Sequence, residues 1–271
     1  MLRFIEAQTG VATLSLRGMQ GRLLGEVITC DGRIGLGRLG DPSHTLTRYL
    51  AQRSPDVATR VREELQRIRS EGRPLIHGIE ALVADDASVI HAAIKDQVAN
   101  GLVAIERHAE DTHIKLDLVR AERARKPPLS VFPTAAEVYW RTTELLHAGF
   151  ADAARRSYDE LEDASPAALC IRTPEPRRLA FLARSRGFEH LSVSEILHFS
   201  YHVEALAQTA ISSANAERST VSAILRGTAG AALLVATSRQ VALIGGLEGG
   251  LFARAVACAH RFTEEVDGHG A

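Results

Sequence analysis

Three glycines near the N-terminus have the spacing that a dinucleotide-binding loop requires. Gly35, Gly37 and Gly40 form a G-x-G-x-x-G motif, and the first two lie within a predicted strand. In a dinucleotide-binding fold such glycines let backbone amides approach a pyrophosphate at a helix N-terminus. That fingerprint also needs a later strand that ends near an acidic residue. A long stretch of mainly helical pattern follows instead, so we expect a tightly packed hairpin and no cofactor.

Two histidines on a predicted helix have a spacing that zinc sites use. His198 and His202 are four residues apart and therefore share one face of the helix. The glutamate of an H-E-x-x-H motif is missing, and no third ligand is obvious. The pair also lies opposite the apolar stripe of the helix. We therefore interpret both as exposed helix histidines and predict no metal.

Residues for covalent or acid–base catalysis are not grouped in the sequence. The chain has no G-x-S-x-G elbow, and its three cysteines, Cys30, Cys170 and Cys258, lie far apart in apolar segments. We therefore predict no catalytic residues and no enzymatic activity. A deep pocket lined by His, Asp or Glu with perturbed ionisation would instead indicate an enzyme.

Composition excludes several other classes of protein. The 271 residues are 45% hydrophobic and 24% charged, with a formal net charge of −1. This balance favours a globular protein and gives no general attraction to nucleic acid or anionic lipid. The chain has few cysteines and no apolar core of a signal peptide, which predicts a cytoplasmic protein. It also has no long apolar segment, which predicts that it does not insert into a membrane.

Alternating apolar and polar residues predict strands in the first part of the chain. These strands are Val11–Arg17, Leu23–Cys30 and Arg33–Leu39. Asp31-Gly32 predicts a two-residue turn between the last two strands, because both residue types tolerate positive φ. Ser54-Pro55 then predicts the start of a helix that ends near Gly72.

A shorter helix is predicted from about residue 88 to Asn100-Gly101, followed by a closing hairpin of residues 102–107 and 113–119. The inward residues of that helix are Ile90, Ile94 and Val98. A basic segment with two prolines then predicts a linker at residues 121–135, because adjacent prolines fit neither a helix interior nor a central strand. The predicted domains are therefore residues 1–120 and 136–266.

The second domain reads as helix, two strands, helix, three strands, helix. Its first helix is predicted to carry Val138, Leu145, Leu146 and Ala153 on one side. The predicted fold class is α+β, with β-hairpins and helices in the first domain and an antiparallel five-stranded sheet in the second.

The long helix at residues 192–213 has an unusually wide apolar surface. Its stripe consists of Ile196, Phe199, Val203, Leu206 and Ala210, and further apolar residues flank it. A helix that packs on one sheet normally needs a stripe of little over about 100°. The excess indicates a second buried contact, either with a partner or with loops of the same domain.

The element order over about residues 136–266 resembles the roadblock, or dynein light-chain, family. The local match covers residues 221–236, the segment Val241-Ala-Leu-Ile-Gly and the helix from Phe252 to Phe262. Residues 1–120 are similar to PATAN-type domains of bacterial signalling proteins. Thr9-Gly10 before a strand and Asp31-Gly32-Arg33-Ile34 after one carry that second likeness.

The roadblock resemblance implies a homodimer that pairs through sheet edges and long helices and binds small Ras-like GTPases or acts as a scaffold. The interface residues that it implies here are Ile196, Phe199, Val203, Leu206, Val221 and Ile224. The first hypothesis is therefore a cytoplasmic bacterial signalling adaptor without enzymatic activity. The alternative is a small-molecule or nucleotide sensor that uses the glycine segment.

Overall fold

Helices and two antiparallel sheets make up the protein, which confirms the predicted α+β class. The computed structural model describes residues 1–18, 21–39, 43–72, 76–108, 115–120, 129–158, 167–172, 180–183, 191–213, 220–227, 230–237, 240–247 and 251–268. The chain divides into two compact units, Met1–Leu145 and Leu146–Ala271. Within the described ranges, no helix has the length and apolar character needed to cross a membrane.

The first unit is built on an antiparallel sheet. Its strands are β1 (Val11–Arg17), β2 (Leu23–Cys30), β3 (Arg33–Leu39) and β4 (Lys115–Arg120), in the order β3-β2-β1-β4. The first three begin and end where the alternating pattern predicts. Between β2 and β3, Asp31 and Gly32 have φ angles of 45° and 76°, which confirms the predicted turn. The Asp31 carboxylate also accepts a hydrogen bond of 2.7 Å from the Gly10 amide.

Five α-helices and one short 3₁₀ helix (Leu129–Val131) accompany this sheet in the described part of the first unit. The α-helices are α1 (Leu2–Glu6), α2 (Leu46–Arg53), α3 (Pro55–Ser70), α4 (Ile76–His108) and α5 (Ala135–Leu146), and α4 is kinked at the non-helical residue Asp86. Helix α3 starts as predicted: the Ser54 hydroxyl accepts a hydrogen bond from the Val57 amide, and Pro55 opens the helix. After the helix, Gly72 adopts a positive φ of 65°.

Helix α4 corrects the prediction for residues 102–107, which are helical and form no strand. The predicted inward residues Ile90, Ile94 and Val98 are buried. The helix continues past Gly101, and this glycine allows α4 to pack closely against β3 instead of ending the helix. A Cβ atom at Gly101 would be 2.5 Å from Leu39 Cβ. A short apolar run fits a strand and a buried helix equally well. Strand β4 consequently pairs with β1.

The segment before α5 attaches to β3, which places this helix in the first unit. The Ile34 amide donates a hydrogen bond of 2.9 Å to the Pro133 carbonyl, and Arg33 forms a β-bridge with Thr134. Residues 121–128 of the predicted linker lie outside the described residues. The single helix predicted to span Val138 to Ala153 is in fact two, α5 and α6 (Ala148–Tyr158).

The second unit contains α6 and the remaining elements. These are β5 (Ala167–Arg172), β6 (Ala180–Ala183), α7 (Val193–Ser213), β7 (Val221–Gly227), β8 (Gly230–Ala236), β9 (Gln240–Leu247) and α8 (Leu251–Gly268). The strands pair in the order β6-β5-β9-β8-β7, with all neighbours antiparallel. Strand β7 is therefore at one edge of the sheet.

Helices cover both faces of this second sheet. One face packs against α6 and α8, in a cluster that consists of Ala153, Leu233, Val235, Ala242, Ile244, Ala255, Cys258, Ala259 and Phe262. Successive strand residues point to opposite faces. Leu234, Ala236 and Val241 are also buried and point to the other face, which α7 contacts through β7, β8 and β9.

The contact between Gly101 and Leu39 gives a test of the first unit. Gly→Ala in a helix interior normally stabilises a protein by about 1 kcal/mol. We expect Gly101→Ala to destabilise it instead, by about 1–3 kcal/mol, because the methyl group overlaps β3. Urea unfolding followed by circular dichroism measures the change.

Gly149 in α6 is the matched control, because a Cβ atom there would meet nothing within 4 Å. Gly149→Ala is expected to leave stability unchanged or slightly raised. A stabilised Gly101→Ala variant would contradict the packing of α4 on β3.

Candidate functional site

The predicted interface residues divide between the core and the surface of the second unit. Ile196 and Val203 are 0% and 3% exposed, so they belong to the core of the unit and are not accessible to a partner. Val221 is half-buried. The exposed members are Phe199 at 36%, Leu206 at 48% and Ile224 at 53%. The surface that remains for a partner is therefore one side of α7 together with β7.

Strand β7 has exposed side chains on one face of the sheet, and its outer edge points away from β8. Ile224 is in register with Leu233, so it points to the same side as the cluster under α8, yet α8 does not cover it. Ser222 and Arg226 point the same way and are also exposed. The outer edge of β7 pairs with no strand in the described part of the chain. A row of backbone amides and carbonyls is thus available there, next to an exposed apolar side chain.

His198 and His202 lie together on the exposed side of α7, as predicted. Their Nε2 atoms are 3.0 Å apart, and their ring planes are nearly perpendicular, at 86°. The His202 ring also contacts Tyr201, with 5.9 Å between ring centroids. Among the described residues, no group of three or more His, Cys, Asp or Glu side chains could hold a metal ion.

The glycines of the G-x-G-x-x-G motif pack inside the first unit. Gly35 and Gly37 lie within β3, and Gly40 lies outside the described residues. A Cβ atom on Gly35 would be 3.0 Å from the Phe132 ring, and one on Gly37 would be 3.3 Å from Val27. Close packing therefore accounts for both glycines without a bound phosphate.

A buried carboxylate, which the sequence reasoning missed, joins three helices of the first unit. Asp96 on α4 is 7% exposed and forms ion pairs with Arg53 at the end of α2 and with Arg141 on α5. The Arg141 Nε atom is 2.7 Å from Asp96 Oδ1, and its Nη1 donates to Glu144 at 2.6 Å. Asp96 and Gln97 interrupt an otherwise apolar, buried segment of α4, and that interruption is the signal that could have revealed the cluster.

Neighbouring polar groups connect the same part of α4 to β3 and to the start of α2. Gln97 donates hydrogen bonds to the carbonyls of Gly37 and His44, at 2.7 and 3.1 Å. The Tyr49 hydroxyl is 2.6 Å from His44 Nδ1, and burial raises the pKa of Tyr49. The arrangement is therefore suited to holding helices together.

A second polar contact fastens the start of α5 to α4. His91 Nε2 is 3.0 Å from Glu137 Oε1, and His91 Nδ1 is 3.3 Å from the Ser130 carbonyl. Glu137 also accepts from the Thr134 amide, and the Thr134 hydroxyl accepts from the Glu137 amide, so the two residues form a capping box. Burial alone raises the pKa of Glu137, but the hydrogen bonds from His91 and Thr134 lower it to about 2.

Comparison with known proteins adds no family assignment. No family model, no curated protein and no solved structure matches the chain.

The Asp96 cluster gives a test of how α5 is held. We expect Asp96→Asn to lower the free energy of unfolding by about 3 kcal/mol, because two arginines lose a buried partner. Trp140 on α5, the only tryptophan of the chain, reports the transition by fluorescence.

Asp117→Asn is the control for this measurement. It removes the exposed ion pair of Asp117 with Arg17, which should cost less than about 1 kcal/mol. Equal losses of stability in the two variants would contradict the role of Asp96 in holding α2 and α5 to α4.

Proposed function

We propose that this protein is a cytoplasmic bacterial signalling adaptor without enzymatic activity. It forms a homodimer through its second unit, and the dimer binds a small Ras-like GTPase or another signalling protein. The observation that carries the proposal is the outer edge of β7, which is unpaired among the described residues and lies next to the exposed Ile224.

A second copy of the chain is the partner that best fits this edge. Antiparallel pairing of β7 with itself about a two-fold axis gives each copy the same contacts, as closed dimers require. Backbone groups that have no partner in one copy become hydrogen-bonded in two. The two Ile224 side chains approach each other on one face of the joined sheet, since each points out of that face.

A strand pair alone would make a small interface, so α7 must contribute. Stable interfaces bury about 800 Å² on each partner. Helix α7 contacts β7 on the opposite face of the sheet from Ile224, and its Leu206 and Tyr201 are 48% and 67% exposed. Phe199, which is 36% exposed, lies seven residues from Leu206 and so on the same side of α7. Phe199 and Leu206 supply the apolar area on this second face, which is consistent with the wide apolar surface noted in the sequence.

The order of elements in the second unit also supports the proposal. The sequence α6-β5-β6-α7-β7-β8-β9-α8 has the helix and strand order on which the likeness to the roadblock family is based. The GTPase as partner follows from that likeness alone. In this reading the polar clusters of the first unit serve stability.

Sedimentation velocity tests the dimer. We expect wild type to sediment as a dimer at tens of micromolar and Ile224→Asp as a folded monomer, because the substitution places a charge beside its own symmetry mate. Ile224 is already exposed, so the variant should keep its circular dichroism spectrum. Val203 is unsuitable for this purpose, because it is buried in the core.

The matched control is Leu23→Asp, which charges an apolar residue of the first unit that is 48% exposed. It should remain dimeric and bind a purified Ras-like GTPase as wild type does, whereas Ile224→Asp should lose both properties. A monomeric wild type, or dimers of equal strength in both variants, would reject the proposal.

A further inference from the structure

The sequence predicts no metal at His198 and His202, but the separation of their ring nitrogens changes that interpretation. We propose that the two residues form a binding site for one divalent transition-metal ion of the Zn²⁺, Ni²⁺ or Cu²⁺ type. The two imidazoles come from one exposed face of α7, and the site is complete within a single chain. It therefore does not depend on the proposed dimer.

The spacing of the two nitrogens is that of a metal chelate. Zn–N bonds are about 2.0–2.1 Å long, so two such bonds at about 90–109° place their nitrogens about 2.8–3.4 Å apart. His198 Nε2 and His202 Nε2 are 3.0 Å apart, which is within this range. One helical turn sets this separation, because residues four apart lie above one another on the same face.

The protons of the two rings decide when a metal can enter. At 3.0 Å one Nε2 donates a hydrogen bond to the other, so at least one ring carries its proton on Nδ1. Metal binding needs both Nε2 lone pairs, which requires the donor ring to move its proton to Nδ1.

The ligand atoms also define the class of metal. Imidazole nitrogen suits zinc, copper and nickel, whereas magnesium and calcium prefer oxygen. Two protein ligands leave further coordination positions for water or an external donor. The contact of Tyr201 with the His202 ring helps to orient one ligand.

Calorimetric titration of the full-length chain with NiCl₂ at neutral pH tests the site, after metal has been removed with a chelator. We expect wild type to bind one Ni²⁺ ion at this site and MgCl₂ to give no heat. His198→Ala and His202→Ala should each weaken nickel binding at least about tenfold, because a single imidazole loses the chelate effect.

His260→Ala removes an exposed histidine from α8 and serves as the control, with binding expected at the wild-type level. All three substitutions are on helix surfaces, and circular dichroism verifies that the fold is kept. Equal nickel affinity in wild type, His198→Ala and His202→Ala would overturn the proposal.

Ile224→Asp separates this site from the dimer. Loss of dimer with nickel binding retained leaves the metal site standing. Nickel binding that disappears in Ile224→Asp would instead show that the site needs two copies and would overturn the single-chain chelate.

Discussion

The second unit depends on how the backbone groups at the edges of its sheet are satisfied. Every amide and carbonyl at an edge must bond to water, to a side chain or to another strand. In the first unit, residues 132–134 attach to the edge strand β3, and charged residues line β4. Among the described residues, no segment attaches to the outer edge of β7, and Arg226 is its one charged residue. The exposed Ile224 makes pairing with another strand more favourable. This edge is therefore the structural basis of the proposed self-association.

Each unit is stabilised internally by a different kind of contact. Small apolar side chains fill the space between the second sheet and α8, as Ala255 and Ala259 do. In the first unit, polar side chains of α4 bind α5, the last helix of that unit. Asp96 pairs with Arg141, and His91 pairs with Glu137. Such pairs add geometric specificity, since a carboxylate and a guanidinium fit in few orientations.

Local chemistry explains which elements could be predicted. Strand alternation and the Asp31-Gly32 turn are short-range signals, and the structure confirms them to the residue for the first three strands. The continuation of α4 depends on the fit of Gly101 against Leu39, which no local pattern encodes. Burial of Val203 likewise depends on which side of α7 faces the sheet. The polar interruption of α4 marks Asp96, but its partners Arg53 and Arg141 are far away in the chain, so sequence spacing could not identify them.

Hydrogen exchange in β7 tests the central claim most directly. If two copies pair through this edge, the amides of residues 221–227 that point away from β8 will exchange slowly at high protein concentration and faster on dilution. Amides of the central strand β9 will stay protected at both concentrations, because they bond to β5 and β8 within one copy. Exchange in β7 that is fast, or independent of concentration, would contradict pairing at this edge.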